Sequence, residues 1–372
     1  MILFFADLHL GIKTYSSYDN KGLTTAEYEA RKVLEAIYSR SQASDITSII
    51  CGGDFFHTNQ PSSENISFAI SWFLKMDKLN KPFYIIPGNH DAALYSNSLI
   101  FLNSLNTKNI KLILQPTEYK WNEWNLNFIP YIYSDTMKSK EKEFESNILQ
   151  AISSADTKTI IISHIQECTA KIGTESIMIS KGVDIIDINN IHYSKDLYLL
   201  SGHMHKQQSY KKGHMTVAYP GSCFYQDITD CNILKGFLLF NAQGNISFEE
   251  ISSIRKFISI YIPKDMDYER IIEMRRLQNN SVIFLSLEQE KDINTEDHIK
   301  QLLSIKNCLL GNIKWNQSAS SDEIISSFLT NCDPYLLLKE DIDSKEDLSM
   351  DIKKDLINKG FSYLDLITGN TR

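Results

Sequence analysis

Two hydrophobic rhythms alternate over the first ninety residues. Residues 2–6 form an unbroken apolar run, Ile-Leu-Phe-Phe-Ala, that stops at Asp7. Such a run predicts a strand buried on both faces of a parallel sheet. Thr24-x-x-Glu27 has the form of a helix capping box, and Ala26, Ala30, Val33, Leu34, Ile37 and Tyr38 follow at helical spacing. A second strand is expected over 46–51. A helix is expected over 62–79, with Phe68, Trp72 and Met76 four apart. The third strand, 83–86, is stopped by Pro87-Gly88.

Strands are next expected over 124–131 and 159–163, with a charged helix over 138–151 between them. Strands over 197–201 and 217–221 and a pair over 236–240 and 245–251, joined at Gln243-Gly244, would complete a second sheet. The order predicts an α/β fold in which two sheets face each other between outer helices. From Lys256 the rhythm restarts with strand 257–262, helix 268–277, strand 282–287, helix 296–306 and strand 312–315. Ser318-Ala-Ser-Ser-Asp322 reads as a linker. Three regions result: 1–254, a small α/β unit over 255–317, and a helical tail over 318–372. In the tail, Leu348, Ile352 and Leu356 make a narrow apolar stripe among Asp351, Lys353, Lys354 and Asp355. Phe361, Tyr363, Leu364, Leu366 and Ile367 come after it. Such a segment is either folded back on the chain or held for another protein.

Composition removes several classes of function. There is no apolar run of about 18 residues, so no membrane span is expected. The apolar start lacks the basic region of a signal peptide. The six cysteines form no CxxC pair, which fits reduced thiols in a cytoplasmic protein better than a zinc ribbon or disulfide framework. A net charge of −8 argues against indiscriminate binding to nucleic acid, so any basic contact surface must be local. No P-loop is present.

The chemistry lies in polar blocks at strand ends, where open α/β sheets place their sites. They are Asp7-x-His9, Gly52-Gly53-Asp54, Asn89-His90-Asp91 and Gly202-His203-Met204-His205, with His164 closing the strand over 159–163. Six of the nine histidines (His9, His57, His90, His164, His203 and His205) sit at or beside such a block, and packing requires no such grouping. If the strand persists, Asp7 and His9 project to one face, and His203 and His205 alternate on a short extended segment. Taken alone, each block is also explained by a turn or cap residue. Together and in order, they offer carboxylate, amide and imidazole ligands for two divalent ions, and mixed N/O ligation without thiolate suits Mn2+.

The order and wording of these blocks resemble the calcineurin-like metallophosphoesterases. Gly53-Asp54-Phe55-Phe56-His57, Tyr219-Pro-Gly-Ser222 and the layout beyond residue 250 resemble the SbcD-type nuclease subunits of DNA-repair and phage-recombination complexes. The resemblance implies a two-sheet sandwich flanked by helices, a DNA-facing cap over 255–317 and a partner-binding tail. It implies that Asp7, His9, Asp54 and His205 hold one metal and Asp54, Asn89, His164 and His203 the second. Two Mn2+ are expected, with Mg2+ the alternative, for in-line attack on a phosphodiester. His90 would assist the leaving group, His57 would reach the phosphate, and Asp91 would either orient His90 or cap a following helix. Lys206, Lys211 and Lys212 would lie on a hairpin near flanking phosphates. DNA, an SbcC-type ABC ATPase with a coiled coil, and a second copy of the chain are the implied partners. A small-molecule phosphodiesterase or phosphatase of the same fold is the rival reading. A non-catalytic scaffold for the ATPase is another.

Overall fold

The computed structural model describes residues 1–18, 22–93, 96–131, 137–153, 158–170, 185–186, 188, 197–252, 255–264, 266–275, 277–315 and 353. The expected linker and the apolar stripe of the tail lie outside them. The first elements are β1 (Ile2–Phe5), α1 (Thr25–Ser41), β2 (Ser48–Cys51), α2 (Ser63–Asp77), β3 (Phe83–Ile85) and β4 (Ile110–Leu112). β5 (Thr117–Trp121), β6 (Trp124–Ile129), α3 (Met137–Ser153), β7 (Thr159–His164), β8 (Gln166–Glu167) and β9 (Ile185–Ile186) come next. Then come β10 (Leu197–Gly202), β11 (Gln208–Lys212), β12 (Met215–Tyr219), β13 (Gly236–Phe240) and β14 (Ile246–Glu250). β15 (Phe257–Ile262), α4 (Tyr268–Met274), β16 (Val282–Leu287), α5 (Ile293–Ile305) and β17 (Leu309–Trp315) close the series.

The capping box forms as expected. Thr24 accepts from the Glu27 amide, and the Glu27 carboxylate reaches back to the Thr24 amide. α5 starts three residues earlier than the apolar spacing predicted because Asp292 caps it, accepting from Asn294 and Thr295. Apolar periodicity did not find β4, β5 or β11. β4 is only three residues long, and β5 and β11 are half-exposed edge strands rich in polar residues.

One sheet runs β14-β13-β1-β2-β3-β4 and another β11-β12-β10-β7-β6-β5; β15-β16-β17 and β8-β9 are separate. This corrects the expected membership. The pair β13–β14 joins the first sheet, not the second, and β13 lies antiparallel to β1 with Leu239 opposite Leu3. β1 uses one edge for its parallel pairing with β2, so its other edge is open to receive β13.

Alternation along the strands then builds three layers of core. Ile2, Phe4, Leu238 and Phe240 meet Leu126, Phe128, Ile160 and Ile162 between the two sheets. Leu3 and Phe5 point the other way, under Ala30, Leu34, Trp72 and Phe73 of the helices. Ile161, Leu199 and Val217 cover the far face of the second sheet with Phe144 and Ile148. Each fully buried side chain of this size contributes about 1.5–3 kcal/mol. Burial on both faces therefore fixes where the strand ends sit.

Residues 1–286 with 292–314 form one compact unit; 287–291 with 315–372 form a second, almost wholly outside the described residues. Within the first unit, Phe257 stacks on Tyr225 and Arg255 pairs with Glu29 at 2.7 Å. Among the described residues no helix is long and apolar enough to cross a membrane.

Candidate metal centre

The polar blocks meet where the strands end, but by loop geometry rather than by strand alternation. Among the described residues eleven non-glycine residues have positive φ, and six of these are asparagines, which tolerate it. Four of the other five are Asp7 (53°), His9 (48°), Asp54 (52°) and His203 (83°). Backbone strain of this kind collects at functional sites, held by the surrounding structure. The expectations that Asp7 and His9 share a face of an extended strand, and that His203 and His205 alternate on an extended segment, are therefore corrected. β1 stops at Phe5 and β10 at Gly202. Two backbone bonds, Asp7 N–H to the Gly53 carbonyl and His9 N–H to the Asp54 carbonyl, lay the first two loops side by side at 3.0 Å each.

All seven expected ligands gather there. His9 Nε2 faces His205 Nε2 at 3.2 Å and Asp54 Oδ2 at 3.6 Å. The same Asp54 oxygen is 3.3 Å from His164 Nε2, while Oδ1 accepts the His90 backbone N–H at 2.8 Å. Asn89 Oδ1 lies 3.0 Å from His164 Nε2 and 3.1 Å from His203 Nδ1. Asp7 accepts the His203 N–H on both oxygens. Asp7, His9 and His205 could close on one cation, as could Asp7, Asp54 and His164. Asp54 Oδ2 sits between the His9–His205 and His164–His203 pairs.

The donor set fits divalent cations. Ring nitrogens of His9 and His205 face each other at 3.2 Å, close enough to share a proton or, unprotonated, to offer lone pairs to one cation. His9 Nδ1 and His57 Nδ1 are buried without a hydrogen-bond partner. His164 Nδ1–H donates to the Gly52 carbonyl, which turns Nε2 into the site. Burial holds the His9 imidazole well below its ordinary range, though Asp54 opposes it. Burial and the nearby His164 push His203 down to about 3. Both rings are thus kept neutral, as ligation requires. His164 goes the other way: burial lowers it, but Asp54 and Asp7 outweigh burial and hold it up at about 10. Asp7 is raised to about 6 by burial. Asp54 is raised by burial but lowered more by His164 and His9, and ends well below the usual carboxylate range.

The residues expected around the phosphate are partly rearranged. His90 Nδ1 lies 2.8 Å from the His57 carbonyl, which can only accept, so His57 backbone and not Asp91 orients the ring. Asp91 is fully buried and accepts from the Phe55, Phe56 and Gly88 amides and from Ser98 Oγ. Burial and Asp54 raise its carboxyl to about 6, against the pull of those amides. Its work is to tie the Asp54 loop to the Asn89 loop; it neither orients His90 nor caps a helix. His57 stacks on His90 at 5.4 Å, and burial and His90 lower its imidazole.

Lys206 directly follows His205 and is half-buried; Lys211 is exposed, but it pairs with Thr216, level with Tyr198 near the start of β10 and so at the end of the sheet away from His203. Lys212 pairs at 2.6 Å with the buried Glu167, which occupies the charge expected for a phosphate.

The glycines let the loops approach closely at the site. A Cβ on Gly53 would strike His164 Nδ1, one on Gly88 would strike Asp54 Oδ1, and one on Gly202 would lie 2.5 Å from the Gly52 carbonyl. Missed in the sequence were Gln226, which donates to the Asp7 carbonyl at 2.8 Å, and the buried pair Asp230–Lys235 behind it. No local sequence pattern marks them.

Carboxylate, amide and imidazole ligands gathered at the strand ends of a two-sheet α/β sandwich define a metallophosphoesterase. Residues 1–207 match the calcineurin-like phosphoesterase family, and the chain belongs to it. It is similar to the DNA double-strand break repair protein Mre11 of Methanococcus maripaludis, 26% identical over 294 residues, 71% of this chain and 70% of that protein. It is similar as well to the protein of the same name from Nanoarchaeum equitans, 24% identical over 322 residues and 82% of each chain. Among solved structures it resembles a dimetal phosphatase from Danio rerio with a TM-score of 0.38 and 9% identity, covering 64% of this chain and 90% of that one.

Proposed function

We propose that this chain is the nuclease subunit of a DNA double-strand-break repair or recombination complex, acting as an exo- or endonuclease on phosphodiester bonds. The observation that carries the reading is the reach of the similarity to proteins named Mre11. With two of them it covers 71% and 82% of this chain, whereas the phosphoesterase family match ends at residue 207. A small-molecule phosphodiesterase of the same fold has less use for so long a stretch of chain beyond that residue.

Asp7, His9, Asp54 and His205 would hold one divalent cation, and Asp54, Asn89, His164 and His203 a second. Manganese suits that mixed N/O set, with magnesium the alternative. When bound, the pair supplies positive charge at the phosphate oxygens and acidifies water for in-line displacement. Asp54 would belong to both sets, its Oδ2 facing His9 and His164. His90, its Nδ1 held by the His57 carbonyl, keeps Nε2 for the leaving oxygen, and protonated there it neutralises the departing alkoxide. The stacked His57 ring fixes one wall beside it. Lys206, next to His205 in the chain, is a cation available for a flanking phosphate, and residues 255–317 form the DNA-facing cap. An SbcC-type ABC ATPase with a coiled coil would dock on residues 318–372, and the subunit would act as a homodimer.

The test is degradation of a linear duplex by the purified chain with Mn2+ against Mg2+, beside a generic phosphodiester dye. Mn2+-dependent loss of duplex ends is expected. Hydrolysis of the dye with the duplex left intact would favour the small-molecule enzyme.

A further inference from the structure

Behind the ligand loops lies a buried ion pair that contains none of the expected ligands. Lys235 and Asp230 both have side chains fully removed from solvent, and the lysine ammonium contacts an Asp230 oxygen. Replacing such a pair by apolar residues is often neutral or stabilising, so stability alone does not account for it. Its remaining bonds lead to the site. Lys235 Nζ also donates to Ser222 Oγ at 2.6 Å and to the His205 carbonyl at 3.1 Å, which uses all three of its hydrogens. Asp230 Oδ2 accepts the Gln226 backbone N–H at 2.8 Å. The Gln226 side chain, itself 2% exposed, then donates Nε2–H to the Asp7 carbonyl at 2.8 Å. Asp7 is one of the residues held at positive φ.

Asp230 therefore has two arms, one ending on the backbone of Asp7 and the other on the backbone of His205. Those two residues and His9 form one of the groups able to close on a cation. We propose that Lys235, Asp230 and Gln226 are positioning residues that set the spacing between Asp7 and His205, and so the affinity of the cation site they share with His9. The inference rests on the metal-dependent reading above. Partners that orient ligands in this way are typically worth about 10–100-fold in metal affinity.

The test follows Mn2+ binding by titration calorimetry, together with metal-free thermal unfolding. It uses the full chain and three variants: Gln226→Met, Lys235→Met and the neutral pair Lys235→Met/Asp230→Asn. Gln226→Met removes one hydrogen bond and no charge. It should unfold close to the wild-type temperature yet bind at least one of two Mn2+ about 10–100-fold more weakly. Lys235→Met strands a buried carboxylate and should lose stability as well as that ion. The neutral pair should regain the stability but not the affinity, because the donor to His205 is still missing.

Affinity that rises and falls with unfolding temperature across the variants, or a Gln226→Met chain with both affinities intact, would overturn the positioning role. Where Lys235→Met or the pair fails to fold, Gln226→Met decides alone. A wild-type chain that binds no Mn2+ would overturn the functional reading itself, and this inference with it.

Discussion

Asp54 presents a single carboxylate oxygen to His9 on one side and His164 on the other, and its second oxygen is occupied by the His90 amide. An asparagine at this position keeps the size but loses the charge that two cations would share. Asp54→Asn should therefore lose bound Mn2+ and slow cleavage by more than about 10²-fold. Metal analysis of the purified variant beside a cleavage assay checks this. Near-normal Mn2+-dependent cleavage would remove the bridging role. His90 Nδ1 is taken by the His57 carbonyl, and the ring lies outside the expected ligand set. Yet His9, His57 and His90 also converge closely enough to hold an ion. His90→Ala separates the two possibilities. Two bound metals with cleavage slowed about 10²–10⁴-fold are expected of a lost general acid. Loss of one metal would make His90 a ligand instead.

Among the elements, the loop from β12 to β13 carries the buried charges. Burial raises the Asp230 carboxyl, but Lys235 beside it more than compensates, so the group ends below its ordinary 3.8. A carboxyl depressed on folding contributes stability that is fully present above that ordinary value. The contribution disappears as pH falls through the lower, folded-state value. The free energy of unfolding should accordingly decline as the solution is acidified below about pH 4. Asp230→Asn should flatten the part of the decline owed to this group while lowering stability at neutral pH by about 3–5 kcal/mol, because Lys235 is left buried and unpaired. Denaturant titrations of both chains at several acidic pH values give the comparison.

For the whole molecule, the site belongs to the compact unit formed by 1–286 and 292–314, whereas 315–372 fall in the other unit. If the tail serves a partner rather than the active site, the two activities should separate. Deleting residues 331–372 should spare Mn2+-dependent cleavage of a short substrate by the isolated subunit and abolish co-purification with the coiled-coil ATPase. A truncated chain that retains its partner at full affinity, or that unfolds, would show that docking lies elsewhere.

How much was legible depends on what each signal encodes. An apolar run that stops at a charged residue reports both a buried strand and the place where the chain leaves the sheet. For this reason β1, β7 and β10, and the ligands at their ends, could be read from residues 2–6, 159–163 and 197–201 alone. The seven candidate ligands were legible through the resemblance of the blocks to a known family, because side-chain chemistry is local. Sheet membership did not. Backbone hydrogen-bonding groups are the same at every strand edge, so nothing in 236–240 distinguished the open edge of β1 from the second sheet. The partners of Asp91, the Glu167 contact of Lys212 and the two arms of Asp230 were equally hidden. Each depends on atoms brought together from distant parts of the chain. The left-handed turns at Asp7, His9, Asp54 and His203 are the clearest case. The sequence by itself determined which groups this site has to offer. Only the tertiary structure decided the backbone that aims them, because that conformation is unfavourable locally and persists through bonds to other loops.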